Sequence, residues 1–247
     1  MRSYGMTDVG CVRTENQDNY YCNDSSLGMF ENLYIVVDGM GGHNAGGYAS
    51  NFVKDKLVEK AQQSTGWDVI VFIKDVLRRL NSDLLQKGRM DEDYAGMGTT
   101  AVVATSKDDK LYVTNVGDSR LYLLHEGALT QVTTDHSYVQ ELYQAGIIKK
   151  EEMANHPKRN MITRAVGAPQ ILAVDHFILP LYDGDLVLLC SDGLHGMLSD
   201  AEIEEILKED LTLEEKTKKL IAQAKEQGGR DNIAVVLAQH ESRGDQA

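Results

Sequence analysis

Six short apolar runs, at residues 33–37, 101–104, 111–116, 121–124, 186–190 and 233–238, constrain the fold of this 247-residue chain more than any other feature. Each holds four to six residues and is rich in Val, Leu and Ile, which suits buried β-strands. The stretch KLYVTNVGDSRLYLLHEGALTQVT (110–133) reads as an antiparallel meander with GDS and HEG at its two turns. Parallel strands would need long crossovers that this spacing does not provide. Between the strand groups lie helical patterns. Ala49, Phe52, Val53, Leu57 and Val58 fall at helical spacing, and so do Val69, Ile70, Ile73, Val76, Leu77, Leu80 and Leu84. Ser199 with Glu202, and Thr212 with Glu215, have the spacing of capping boxes, and Gly228 is placed to end the second of these helices. Strands in groups and helices in groups predict an α+β fold with segregated layers.

The expected organisation is a single domain over residues 1–240 with a frayed tail at 241–247. Residues 136–168, short-helical and the most basic stretch, form an inserted flap. There are 25 basic and 38 acidic residues, a net charge of −13, which argues against nucleic acid as a partner. Cys11, Cys22 and Cys190 include no Cys-x-x-Cys pair, the N-terminus lacks the apolar core of a signal peptide, and no apolar run approaches a membrane span. A soluble, cytoplasmic chain is the expectation.

The run 33–37 drives into Asp38-Gly39-Met40-Gly41-Gly42, and the run 186–190 into Ser191-Asp192-Gly193. Neither nucleotide template fits the first glycine string. Gly-x-Gly-x-x-Gly from Gly39 fails at Asn44, and a Walker loop from Gly41 reaches Gly46 but then meets Gly47-Tyr48. A type I′ hairpin at Asp38-Gly39 is the plain alternative, but helical spacing follows where a second strand would be needed.

Asp18, Asp38, Asp118, Asp192 and Asp231 each border an apolar stretch, where strand ends can bring distant side chains to one rim of a sheet. Carboxylates gathered there repel by roughly 4 kcal/mol per close pair at an effective dielectric near 20. Oxygen ligands without His or Cys relieve this with Mg²⁺ or Mn²⁺ rather than zinc. Each Asp also has a plainer reading. Asp118 can be a turn residue of the meander, Asp231 a cap before the last strand, Asp192 part of the loop toward Ser199, and Asp18 is ambiguous taken alone. Other hydrolase patterns fail. The positions that Cys-x₅-Arg would need hold Gln17, Gly28 and Gly196, Gly-x-Ser-x-Gly is absent, and Asp183-Gly-Asp185 reads as a turn entering a strand.

The words RTENQD (13–18), VVDGMGGHNAGGYAS (36–50), GMGTTAVVA (96–104), NVGDSRLYLL (115–124), TTDHS (133–137), ITRAVG (162–167), LLCSDGL (188–194) and GGRDNIAVVL (228–237) occur in one order along nearly the whole chain. Together they resemble the metal-dependent Ser/Thr protein phosphatases of the PPM type (type 2C), in their compact bacterial form. The resemblance implies a four-layer α-β-β-α sandwich of two antiparallel sheets flanked by helices. It implies two Mn²⁺ or Mg²⁺ ions at one rim. Asp38 bridges both, the Gly39 carbonyl binds one, and Asp192 and Asp231 bind the other. Asp18 holds water at the metals, Asp118 with Asp192 can hold a third ion, and Arg13 binds the substrate phosphate. The implied reaction is hydrolysis of phosphoserine and phosphothreonine on proteins by a metal-activated water, opposing a bacterial Ser/Thr kinase, in a monomeric enzyme.

Two positions depart from the pattern. Met40 stands where eukaryotic members commonly have the His thought to protonate the leaving oxygen, with His43 three residues on. Gln17 stands where many relatives have Glu. A regulatory scaffold with a degenerate centre, or a phosphatase of small metabolites, are the competing readings. The presence of Asp38, Asp192 and Asp231 disfavours the first.

Overall fold

Odd and even residues of the central strands bury against different layers, which is why their runs are apolar throughout rather than alternating. The computed structural model describes residues 1–42, 45–66, 68–169 and 171–241. In chain order the elements are β1 (Arg2–Asp8), β2 (Asp18–Asn23), β3 (Leu33–Met40), α1 (Ala45–Gln62), α2 (Val69–Met90), β4 (Gly98–Thr99), β5 (Ala101–Lys107), β6 (Lys110–Val116), β7 (Arg120–His125) and β8 (Ala128–Gln131). There follow α3 (Tyr138–Gln144), α4 (Lys150–Met153), β9 (Asp175–Pro180), β10 (Leu186–Cys190), α5 (Asp192–His195), α6 (Asp200–Lys208), α7 (Leu213–Glu226) and β11 (Ile233–Gln239).

One antiparallel sheet runs β1-β11-β10-β7-β8 and the other β2-β3-β5-β6-β9, with β4 paired to the end of β3. Tyr34 and Val36 of β3 meet Leu121, Leu189 and Val236 of the opposite sheet, forming the core between the sheets. Leu33, Ile35 and Val37 face the other way, onto α1 and α2. Leu186, Leu188 and Cys190 of β10 likewise face α6 and α7. The result is the expected α-β-β-α sandwich. Truncating a fully buried residue such as Leu121 or Leu188 to Ala should cost about 2–5 kcal/mol.

Local signals behave as their chemistry dictates. Both capping boxes form, at Ser199 with Glu202 and at Thr212 with Glu215. Gly228 and Gly229, both at positive φ, end α7. Asp183 and Gly184 turn the chain into β10.

The expected meander is only half present. β7 and β8 form a hairpin through Glu126-Gly127, both at positive φ. The GDS segment instead carries the chain from one sheet to the other, because β6 pairs with β5 and β9 while β7 pairs with β10. Both strands are apolar on two faces, so their pattern suits either pairing. Gly117, at φ +105°, makes the crossing: a Cβ there would lie 2.5 Å from Thr100 Cγ2.

Strands β1, β2 and β9 carry weak apolar signals and were not among the expected runs. β1 and β2 are half-buried along most of their length, and β9 alternates between half-buried and exposed positions. The segment 136–168 contains α3 and α4, and its two ends meet where Tyr138 N–H donates to the Met161 carbonyl (2.8 Å). Of the expected tail, residues 242–247 lie outside the described residues.

Candidate active site

The ends of β3, β10 and β11 and the β6–β7 crossing converge on a cleft of about 480 Å³, lined among others by Arg13, Asp38, Gly39, Asp118, Asp192 and Asp231. The glycines explain how the carrying segments approach so closely. A Cβ on Gly39 would stand 2.2 Å from the Gly46 carbonyl oxygen, so only Gly lets the start of α1 rest on the end of β3. A Cβ on Gly193 would stand 1.9 Å from the Asn232 carbonyl oxygen. That contact brings Asp192 beside Asp231 across the starts of α5 and β11. The alternative of a hairpin at Asp38-Gly39 does not form, as the helical spacing after it implies: β3 runs on to Met40 and α1 follows.

Asp38 is the centre of the group. Its backbone N–H donates to Thr100 Oγ1 (2.9 Å), and its carbonyl accepts from Thr99 Oγ1 (2.8 Å) and Thr100 N–H (2.9 Å). Its carboxyl lies within hydrogen-bonding reach of Asp18 and Asp192. Burial, followed by the charges of Asp18, Asp192, Asp118 and Asp231, pushes it well above the carboxylate range. Asp18 is directly opposite in the β2–β3 ladder, and burial pushes it up to about 7. Asp18 Oδ2 is buried without a hydrogen-bond partner. Asp118 is pushed up to about 8 and Asp192 to about 6, in both cases first by burial, with Asp192 and Asp231 respectively as the leading neighbouring charge.

This is an oxygen-only donor set under strong mutual repulsion, with one buried carboxylate oxygen left unsatisfied. Such chemistry fits hard divalent cations. Among the described residues no three His, Cys, Asp or Glu side chains close a ready-made cage around one ion. The carboxylates line an open cleft instead, which suits ions that keep part of their water shell.

Arg13 lies on the loop between β1 and β2, and its Nη2 donates to Asp231 Oδ2 (2.8 Å). That bond, the strongest influence on the guanidinium, raises its pKa further. The loop is closed by a residue the sequence reading did not single out. Buried Asn232 donates from Nδ2 to the carbonyls of Val9 (3.0 Å) and Glu15 (2.9 Å) and accepts from Gln17 N–H (2.9 Å). Its signal was the Asp-Asn pair at the start of the last strand.

Gln17 sits against α1, with Oε1 2.4 Å from where a Gly46 Cβ would be, and its carbonyl accepts from Gly39 N–H (3.2 Å) and Ser50 Oγ (2.6 Å). Met40 lines the cleft. His43 lies outside the described residues.

Two histidines lay outside the expected set, buried His136 and half-buried His195. His195 Nε2 donates to the Asp118 carbonyl (3.0 Å), and burial lowers its imidazole to about 3, so the ring is neutral. His136 Nδ1 accepts from Gly117 N–H (3.0 Å). Nearby, Arg120 forms a two-pronged pair with Asp135, with Nε to Oδ1 at 2.9 Å and Nη2 to Oδ2 at 2.8 Å. All seven residues singled out as candidates line this one cleft, except Asp18, which lies behind Asp38.

Comparison with known proteins identifies the family. Residues 3–142 match the Protein phosphatase 2C family. The serine/threonine phosphatase stp of Listeria innocua is 40% identical over 97% of this chain and 96% of its own length. The S. agalactiae serine/threonine phosphatase structure superposes with a TM-score of 0.91 at 34% identity, over 96% of this chain and 98% of that one. The catalytic domain of the serine/threonine protein phosphatase PstP, solved in complex with 2 manganese ions, superposes with a TM-score of 0.84 at 35% identity, over 96% of this chain and 97% of that one. With more than half of its length matched to the family and relatives aligned along nearly all of it, the chain belongs to the protein phosphatase 2C family.

Proposed function

We propose that this protein hydrolyses phosphoserine and phosphothreonine on proteins, using a pair of divalent cations, Mn²⁺ or Mg²⁺, held in the Asp38 cleft. The observation that carries the reading is the meeting of Asp38, Asp192 and Asp231 with one arginine, Arg13, whose guanidinium is 2.8 Å from Asp231. The phosphatase relatives, one solved with two manganese ions, support it.

In this reading Asp38, the Gly39 carbonyl, Asp192 and Asp231 would hold the two cations, and Asp118 with Asp192 would hold a third. When bound, the cations neutralise the acidic cleft and make a water nucleophilic at neutral pH. The residues of the chain do the rest. Asp18, buried behind Asp38, orients water through its unsatisfied oxygen. Arg13 presents a planar fork that matches two phosphate oxygens, at a mouth open enough to exchange its Asp231 partner for substrate. Thr99 and Thr100 fix the backbone of Asp38 so that its carboxyl does not swing away from its neighbours. Met40 has no proton to give, so it does not protonate the leaving oxygen.

Asn160 and Ile162 of the 136–168 segment line the same cleft, which supports a role for that segment as a flap shaping peptide access. The proposal extends to a monomeric, cytoplasmic enzyme acting against a Ser/Thr kinase. Among the described residues no helix is long and apolar enough to cross a membrane.

The test is hydrolysis of phosphothreonine and phosphoserine peptides by purified protein, beside nucleotides and sugar phosphates, with Mn²⁺, Mg²⁺ or chelator. Cation-dependent turnover of the peptides is expected. Preference for a small metabolite, or undiminished turnover in chelator, would overturn the proposal.

A further inference from the structure

The backbone that carries Asp118 is gripped by a ring from the root of the flap. His136, the first residue of that segment, is buried, and its ring lies between two parts of the fold. On one side Gly117 N–H donates to Nδ1 (3.0 Å), while the His136 backbone N–H donates back to the Gly117 carbonyl (3.0 Å). Because Nδ1 accepts, the ring proton is on Nε2, where it donates to Asp175 Oδ2 (3.1 Å) at the start of β9. The other Asp175 oxygen accepts from Nη1 of Arg164 (3.0 Å), on the return limb of the flap; that Nη1 also lies 3.2 Å from His136 Nε2, which as an N–H does not accept from it. The His136 carbonyl accepts from Thr163 N–H (2.8 Å), on the same limb.

Gly117 and Asp118 have little freedom apart from this grip. Gly117 is at φ +105° and pressed onto Thr100, the residue that holds the backbone of Asp38. The Asp118 carbonyl accepts from His195 Nε2 (3.0 Å), on the short helix that begins at Asp192. Two histidines from different parts of the chain therefore hold the Gly117–Asp118 peptides, and one of them is the first residue of the flap segment.

We propose that His136 is a positioning residue that sets the Asp118 side of the cleft from the stem of the flap. The hydrogen bond from Gly117 to Nδ1 fixes the direction in which the Asp118 carboxyl enters the cleft, and Asp175 with Arg164 fixes the ring. Disturbing the stem then changes cation affinity at Asp118 and Asp192 without touching either carboxylate. This rests on the reading that those two residues hold a divalent cation.

The two amide isosteres of histidine separate the halves of the grip. His136→Asn puts an oxygen as far from Cβ as Nδ1, so it keeps an acceptor for Gly117 and gives up Asp175. His136→Gln reaches as far as Nε2, so it keeps Asp175 and gives up Gly117. Calorimetric titration with Mn²⁺ should show affinity about tenfold weaker in His136→Gln, the scale typical of residues one step behind a metal ligand. His136→Asn should stay close to the parent protein. Equal losses in both, or the larger loss in His136→Asn, would overturn the proposal. Asp118→Asn, titrated in parallel, separates it from the underlying reading: unchanged Mn²⁺ binding there rejects the cation site itself, whatever the His136 variants do. Should His136→Gln not fold, ring-nitrogen NMR of the parent protein decides. A proton on Nε2, with Nδ1 accepting, is expected, and a proton on Nδ1 rejects the grip.

Discussion

Asp18 stands directly opposite Asp38 in the antiparallel β2–β3 ladder, with Gly39 N–H donating to the Gln17 carbonyl (3.2 Å) just beyond the pair. Like charges facing each other across a ladder destabilise it, and here burial amplifies the repulsion. The cleft is therefore an energetic liability to the metal-free fold and a reservoir of affinity for cations.

Stability without divalent ions should fall as pH rises. The folded-state values of Asp192, Asp18 and Asp118, about 6, 7 and 8, lie above the unfolded value near 3.9. Between these limits the native state binds more protons than the unfolded chain, so stability is full below about pH 4 on this account and declines through about pH 8. Thermal unfolding in chelator should show a Tm that drops across this window and recovers with Mn²⁺ at the alkaline end. A Tm that rises over the same range, with no gain from Mn²⁺, would contradict it.

Replacing Asp18 with Asn should stabilise the metal-free protein while impairing the reaction. Removing a carboxylate pushed up to about 7 relieves up to about 4 kcal/mol of strain at neutral pH. Denaturant unfolding in chelator measures the first effect and peptide turnover the second. A loss of stability in chelator would show that Asp18 is held by more than its neighbours' tolerance.

Asp38→Ala and Asp192→Ala should lower kcat/KM by more than the ~10–100-fold typical of residues behind a metal ligand. Steady-state kinetics with a phosphothreonine peptide provides the check. Retention of most of the activity in either variant would reject the assignment of these residues.

Arg13→Ala should weaken competition by inorganic phosphate and lower kcat/KM by about 10–100-fold, the equivalent of one charged hydrogen bond or pair. Arg13→Lys should recover only part of this, because an ammonium cannot grip two oxygens in one plane. Asn232→Asp should mimic Arg13→Ala in kind, since it removes the donors that close the loop onto Val9 and Glu15. An Arg13→Lys variant equal to the parent would argue that charge alone suffices.

Two glycine substitutions should move stability in opposite directions. Gly193→Ala forces a methyl group toward the Asn232 carbonyl, 1.9 Å from the ideal Cβ, and should cost at least ~1–3 kcal/mol along with activity. Gly47→Ala, inside the first turn of α1 with Gln17 Cγ 3.9 Å away, should add about 0.5–1 kcal/mol. Chemical denaturation of both variants checks the pair, and a neutral Gly193→Ala would disprove the close approach.

Much of the site was legible because its signals are local. Asp38-Gly39 and Asp192-Gly193 announce strand ends where a side chain is needed beside a backbone without one. The capping boxes at Ser199 and Thr212 needed only residues three apart. Asn232, His136 and His195 escaped notice because each acts through bonds to segments far away in the chain. Buried polar residues with such partners look, in sequence, like any other polar residue near a turn. The edge strand β9 escaped because one face is open to solvent, and β1 and β2 because most of their positions are only half-buried, so their composition is not that of a core run.

By itself the sequence determined which segments become central strands, where the helices start, and which acidic residues border them, since apolar periodicity and capping are properties of neighbours. The tertiary structure alone decided that β6 and β7 belong to different sheets, that Asp18 faces Asp38, and that one histidine joins the flap to Gly117, the neighbour of Asp118. Strands apolar on both faces can pair in more than one order. The order is chosen only when two sheets and their covering helices close over a common core and the remaining polar groups find partners there.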